Sequence, residues 1–190
     1  MVLESNDLEG TARDVVDACQ RGDRDAFRTL FEAYQDKVYS IALRYSGDRA
    51  VALDIAQEIF LKLLSSIGEY RGNASFDTWL YRVVVNCCLD HRRRTRRIGL
   101  FLENLWQGFA APRQSVLQDL MRAEMEEQVQ RGVAGLSPEQ RIAVALRYTQ
   151  GLSYETIAEI LNCSTGTVAS RLNRAHKILE RRLAHLRERL

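Results

Sequence analysis

The sequence is short of proline, of paired cysteines and of long apolar runs, and each shortage removes a class of protein. Only Pro112 and Pro138 occur in 190 residues, and no stretch alternates apolar with polar side chains. That leaves helices as the expected structure throughout. The four cysteines (Cys19, Cys87, Cys88, Cys163) form no C-x-x-C pair, and no histidines stand at zinc-ligand spacing. Cys87 and Cys88 are adjacent, so on a helix they point about 100° apart and cannot readily chelate one metal alone. Reduced, partly buried thiols are expected, with no metal and no other cofactor. No apolar run approaches the ~20 residues of a membrane span. The opening MVLESNDLEG is acidic, unlike a signal peptide. A cytoplasmic protein without membrane insertion is the expectation. Carboxylate clusters and a phosphate-binding glycine loop are also missing, so no catalytic residue and no enzyme activity are expected.

What is present is an ordinary globular composition, 46% hydrophobic and 27% charged, with a net charge of +2 that hides an asymmetry. Residues 1–69 carry 13 acidic against 8 basic side chains, whereas residues 70–97 carry 7 basic against 2 acidic and residues 151–190 carry 7 against 4. Two separate basic patches behind an acidic first part point to contact with nucleic acid at two places rather than along the whole chain.

The first patch combines rings and guanidinium groups. Tyr70, Phe76, Trp79 and Tyr81 lead, on one expected helix, into Arg92, Arg93, Arg94, Arg96 and Arg97. Aromatic faces accept unstacked bases and guanidinium groups fix phosphates, so the segment reads as a surface for opened, single-stranded nucleic acid. Taken alone, core aromatics on a helix with a solvated charged end fit equally well. A second nucleic-acid signal near the C-terminus tips the balance.

The periodicity predicts a short helix over about 11–20 and a second from about Asp25, with Phe27, Leu30, Phe31, Tyr34, Val38, Ile41, Ala42 and Tyr45 as its buried stripe. A third runs from about 49 to 67, with Ala52, Ile55, Ala56, Ile59, Phe60, Leu63 and Leu64 on its inner face. Residues 68–74 read as a loop, and Ser75 as the cap of a fourth helix that carries the aromatics into the arginines. Residues 99–115 read as a linker, unusual in holding Leu100, Phe101, Leu102, Leu105, Trp106 and Phe109. A helix over about 114–133 follows. Ser137-Pro138-Glu139-Gln140 is a helix start with a capping box, and Gly151 a stop.

Residues 153–179 hold a more specific pattern. Ala158, Asn162 and Val168 stand four and ten residues apart. In a helix-turn-helix the first must be small because the second helix crosses it closely. The middle one sits in a left-handed turn, where asparagine is tolerated next after glycine, and the last packs inward. With Val168, Leu172, Ala175 and Leu179 inside, Thr167, Ser170, Arg171, Arg174 and Lys177 point outward or flank the groove, with chemistry suited to base edges and phosphates. A merely amphipathic or dimerising helix pair is the alternative, and this spacing is more specific than either requires.

Together these segments resemble the extracytoplasmic-function (ECF) sigma factors of bacterial RNA polymerase, from about Arg13 to Leu183. The resemblance rests on DIAQEIF (54–60), YRG (70–72), FDTWLYR (76–82), LSPEQ (136–140), GLSYETIA (151–158) and GTVASRL (166–172), in that order and separation. It implies an all-α fold of two small helical domains: a four-helix sigma region 2 domain over 11–98 and a helix-turn-helix sigma region 4 domain over 116–190, joined by the 99–115 linker. It implies a sigma factor that binds core RNA polymerase, directs it to −35/−10 promoters and assists melting. By position, Asp54, Gln57, Glu58 and Leu61 would meet the β′ clamp helices, with the β subunit also a partner. Tyr70, Arg71, Asn73, Ser75, Phe76, Trp79, Arg82, Asn86, Arg92 and Arg93 would meet −10 DNA. Arg147, Thr167, Ser170, Arg171, Asn173, Arg174 and Lys177 would meet the −35 duplex. Many relatives are held inactive by an anti-sigma factor, which makes such a protein a further candidate partner. Two positions depart from the family: Ala169, where a basic residue is frequent, and His176, where arginine is common. A regulator that binds duplex without joining the polymerase would share the helix-turn-helix, but has no need of aromatics joined to an arginine run.

Overall fold

The structure is a computed structural model that describes the backbone of residues 5–103 and 128–187 and the side chains of residues 13–91 and 128–186. Among the described residues there is no strand. The elements are α1 (Ser5–Gln20), α2 (Arg24–Ser46), α3 (Arg49–Ser66), a 3-10 turn (Ile67–Glu69) and α4 (Phe76–Glu103). They continue with α5, described over 128–134, then α6 (Pro138–Thr149), α7 (Tyr154–Ile160), α8 (Thr165–Arg182) and α9 (Ala184–Arg187).

Local chemistry sets these boundaries. Asp23 accepts from the backbone N–H groups of Asp25 and Ala26 at 2.9 and 3.2 Å to start α2, and Gly47 ends it at φ 76°. Asp48 caps α3 through the Val51 N–H at 2.9 Å. Ser137 and Gln140 form the expected reciprocal capping box at α6, with Pro138 in the first turn. Each such cap satisfies donors that the helix leaves unpaired, and its loss costs about 1 kcal/mol. The Ser75 hydroxyl accepts from the Thr78 N–H at 3.2 Å, so the expected cap of α4 is present.

Two expectations need correction at element ends. The first helix begins at Ser5, ahead of position 11. The fourth does not stop at the arginines but continues to Glu103, five residues into the expected linker. Leu100, Phe101 and Leu102 are tolerated in a helix, and Gly99 costs only about 1 kcal/mol there. The remainder of the expected linker and residues 116–127 of the helix after it lie outside the described residues.

The packing places α2 against α1, α3, α4 and α6, and α7 and α8 against each other. Val38, Ile41, Ile55, Ile59, Leu63, Leu80 and Val84 fill the first half and Ile142, Leu146, Ile157, Val168 and Leu172 the second, all at most 1% exposed. These side chains belong to one continuous apolar cluster, because α6 lies on α2 and α7 on α4. The two helical units are therefore docked. At the junction, Gln150 donates to Ser40 Oγ at 3.0 Å, and Arg141 donates to the Tyr45 carbonyl at 3.2 Å.

Candidate nucleic-acid interfaces

The helix-turn-helix is built as the sequence predicts. Ala158 is buried beneath the crossing, Val168, Leu172 and Ala175 are fully buried, and Leu179 is half-buried. Asn162 adopts φ 48°, the only non-glycine residue with positive φ among those described. Ser153 and Ser164 cap α7 and α8 by accepting from the Thr156 and Thr167 N–H groups, each at 3.1 Å. With its apolar face filled, α8 presents Asn173, Arg174 and Lys177 to solvent, beside the half-exposed Thr167, Ser170 and Arg171. Arg171 Nη1 lies 3.7 Å from Cys163 Sγ, which steadies the guanidinium over the turn.

Arg147 braces the approach to this face. It donates to the Leu152 carbonyl at 2.8 Å and stacks over the Tyr154 ring at 5.4 Å, clamping the α6–α7 turn. Beside it, the exposed Tyr148 hydroxyl meets His176 Nε2 at 2.6 Å, tying α6 to α8. Sequence periodicity does not reveal this pair, because nothing in a helical pattern links positions 28 residues apart. Ala169 is exposed on the same helix and carries only a methyl group.

The first surface is assembled differently. Arg71, Asn73 and Ser75 are exposed on the loop after the 3-10 turn, and Tyr70 and Trp79 are half-buried. Phe76 is 8% exposed and Tyr81 3%, so their rings serve as packing and present no open face. Tyr70 meets Phe76 and Trp79 with ring centroids 5.5 Å apart, and Phe76 also meets Tyr34 at 5.7 Å. Tyr70 donates to the Ala74 carbonyl at 2.9 Å, closing the loop on itself. The Tyr34 hydroxyl donates to the Asp77 carboxylate. Burial, then that hydrogen bond, hold the Tyr34 phenol well above its ordinary range. Burial, then the Asp77 charge, push Tyr81 up to about 12. Both phenols are neutral donors at physiological pH.

Arg82 and Asn86 lie further along α4, one turn apart. Asn86 is exposed, whereas Arg82 reaches across to α7, donating to the Glu159 carbonyl at 3.1 Å and pairing with its carboxylate at 3.3 Å. Tyr81 donates to Gln150 Oε1 at 3.2 Å in the same seam. The structure thus groups Tyr70, Arg71, Asn73, Ser75, Phe76 and Trp79 around one loop and sets Arg82 against the other half. Arg92 and Arg93 continue α4, with side chains outside the described residues. One anchor has no signal in the sequence: Gln20 Nε2 donates to the carbonyls of Ile67 and Tyr70 at 2.9 and 2.8 Å, fastening α1 to the loop.

On α3, Asp54, Gln57 and Leu61 are exposed and Glu58 is half-buried, its carboxylate 3.9 Å from His91 Nδ1. Leu64 and Phe31 correct the helical reading. The stripe places Leu64 inward, yet it is 56% exposed, and Phe31 is 37% exposed. With Leu53 and Leu61 they border a groove of about 610 Å³ between α2 and α3. Exposed apolar patches of this kind are found at protein-, membrane- and ligand-binding surfaces. The one-residue offset between Leu63 and Leu64 turns the second away from the core, which a stripe with two adjacent leucines cannot show.

Among the described residues no cluster of three metal-ligating side chains occurs and no helix is long and apolar enough to cross a membrane. Comparison with known proteins matches residues 30–98 to Sigma-70 region 2 and residues 126–179 to Sigma-70, region 4. The RNA polymerase sigma-H factor of Pseudomonas aeruginosa is 35% identical over 180 residues, covering 90% of this chain and 93% of that protein. The ECF RNA polymerase sigma-E factor of Escherichia coli K12 is 36% identical over 182 residues, covering 90% and 94%. Two solved structures share the fold. The sigma factor RpoE of Bartonella quintana with the anti-sigma factor NepR has a TM-score of 0.66 at 22% identity, covering 83% of this chain and 96% of that one. CnrH with the cytosolic domain of CnrY has a TM-score of 0.64 at 19% identity, covering 91% and 97%.

Proposed function

The chain belongs to the ECF sigma factors of bacterial RNA polymerase, which direct the enzyme to promoters, and from that premise we propose how its residues divide the work. The α8 face, with Thr167, Ser170, Arg171, Asn173, Arg174 and Lys177, reads the −35 element as duplex, and Arg147 supports it from α6. The loop and the first turns of α4 hold the opened −10 strand through Tyr70, Arg71, Asn73, Ser75, Trp79, Arg82 and Asn86, with Arg92 and Arg93 on its phosphates and Phe76 beneath the rings. Asp54, Gln57, Glu58 and Leu61 dock on the β′ clamp helices, and the exposed Leu53 and Leu64 extend that surface.

The observation that carries this reading is the pairing, in one chain, of a completed helix-turn-helix with a separate loop surface of rings and cations. The first suits duplex and the second suits single strands. Extruding a base from the duplex costs a few kcal/mol. Stacking returns ~1–3 kcal/mol per base, so binding at the edge of the bubble drives strand separation without ATP. On this reading the chain supplies no catalytic group of its own and works in the cytoplasm, where the polymerase is. An anti-sigma factor is a second proposed partner.

Reconstitution with core polymerase tests the proposal. The holoenzyme should start transcripts at a restricted promoter set and render thymines in the −10 region reactive to permanganate. A protein that does not join the polymerase, or joins it and leaves the strands paired, would refute the assignment.

A further inference from the structure

Tyr148 on α6 and His176 on α8 form an exposed pair that none of the three proposed surfaces uses. Tyr148 is 62% exposed, its hydroxyl lies 2.6 Å from His176 Nε2, and the ring centroids are 5.7 Å apart. Holding α6 on α8 does not require them. The two helices already pack on each other, with Leu146 and Leu172 in one apolar cluster and Val144 beside Ala175 in another. A phenol O–H donates to an unprotonated ring nitrogen, and the bond that one nitrogen makes sets the tautomer of the ring. With Tyr148 donating to Nε2, the proton of His176 sits on Nδ1, which has no hydrogen-bond partner among the described residues. His176 stands one helical turn after Asn173 and next to Lys177, both exposed. Where arginine is common in the family, this chain thus carries a neutral donor held by a second residue.

We propose that His176 donates from Nδ1 to a backbone phosphate at the edge of the −35 element, and that Tyr148 is the positioning residue that fixes the donating tautomer. The proposal rests on the reading of α8 as the −35 face and adds to it a contact that carries no base information. Its place on the helix favours backbone over base edges. One turn after the buried Leu172, His176 stands at the flank of α8 rather than at its outward centre, and a helix in a groove meets phosphates along its flanks. A phosphate oxygen is an anionic acceptor, so the bond is charge-assisted. The donor is uncharged and releases no counterion, which sets it apart from an arginine or lysine contact.

The test measures binding of holoenzyme to fluorescent duplexes carrying the −35 element of a promoter mapped from its transcript starts, over a range of salt. His176→Ala should weaken binding about tenfold, for the natural element and for single-base variants alike, with the logarithmic salt slope unchanged. His176→Asn, whose amide N–H can stand near the place of Nδ1–H, should restore most of the affinity. His176→Arg should also bind, with a slope steeper by about 0.9. Tyr148→Phe keeps the ring, removes the donor and should cost about threefold. The Tyr148→Phe/His176→Ala double variant should be no weaker than His176→Ala alone, because Tyr148 acts through the imidazole. A scan of neutral methylphosphonates along the duplex should find one linkage that weakens the natural protein and leaves His176→Ala unchanged. Both side chains are exposed, so the urea midpoints should barely move. Natural affinity in His176→Ala would overturn the proposal, as would a loss confined to particular bases, a flattened salt slope or additive losses in the double variant. So would loss of core-polymerase binding with duplex binding intact, which would assign the pair to a protein contact. If Arg174→Ala weakens the duplex and His176→Ala does not, only this contact falls. If neither matters, the −35 reading of α8 falls with it.

Discussion

On α8, the residues that hold the helix in place and those proposed to read DNA are different, whereas on the loop and α4 they are largely the same ones. Val168, Leu172 and Ala175 are fully buried and hold the helix in place, while Asn173, Arg174 and Lys177 on the same helix stand in solvent. Around Tyr70 the rings that would accept bases also pack on one another, and Phe76 and Tyr81 are almost entirely enclosed. The contrast fits the proposed targets. A duplex groove is a fixed shape, so a preformed polar face suffices. An unpaired base is best received by apolar surface, and apolar surface left open to water is unstable, which fits rings that cover one another when no base is bound.

The comparison predicts that substitutions in the two places fail in different ways. Trp79→Ala should have the larger effect. It removes a half-buried ring from the Tyr70–Phe76 cluster and should cost on the order of 2–4 kcal/mol of stability, toward the lower part of the range for aromatic truncation. At a temperature where the variant stays folded, open-complex formation should still fall more than polymerase binding. Urea unfolding and permanganate reactivity measured on the same variant separate the two effects. Unchanged stability would make Trp79 a reader only and erase the contrast. Equal losses in both binding assays with a lowered midpoint would make it scaffold only. Arg174→Ala should change the stability measured by urea unfolding by no more than the small range of surface substitutions, about 0.5 kcal/mol. It should weaken −35 duplex binding by ~1–3 kcal/mol if it reads a base edge. Unchanged affinity and sequence preference would remove Arg174 from the reading face.

The same division explains what is legible in the sequence. Asn162 is readable because one position demands a left-handed backbone, and it adopts φ 48°. The caps at Ser75 and Ser137 are readable because a hydroxyl before a helix has one obvious use. Leu64 is misplaced by periodicity because a stripe with two adjacent leucines does not say which one turns out. Phe76 and Tyr81 look like base platforms in the sequence because a ring carries no mark of whether its faces are already taken. Gln20 and the Tyr148–His176 pair are invisible there because their partners are distant along the chain, and only folding brings them together. The docking of the two helical units is also illegible, since Gln150 with Ser40 and Arg82 with Glu159 follow no local pattern.

That docking is where the smallest effect is expected, and it bears on the contrast most directly. Arg82 is a proposed −10 contact whose guanidinium is committed to Glu159 on α7, with both side chains about half exposed, at 41% and 51%. An ion pair this exposed is screened and contributes about 0–1 kcal/mol. What keeps the units together is the apolar continuity from α2 to α6 and from α4 to α7, not this pair. A double-mutant cycle of Arg82→Ala and Glu159→Ala should therefore give a coupling below about 1 kcal/mol in urea unfolding. Glu159→Ala alone should modestly strengthen binding of the opened strand, because it frees Arg82 of a competing anion. Arg82→Ala should weaken it. A large coupling, or a Glu159→Ala variant that binds the strand less well, would mean that the seam positions Arg82 for DNA instead of occupying it. The loop surface would then be as preformed as the face of α8.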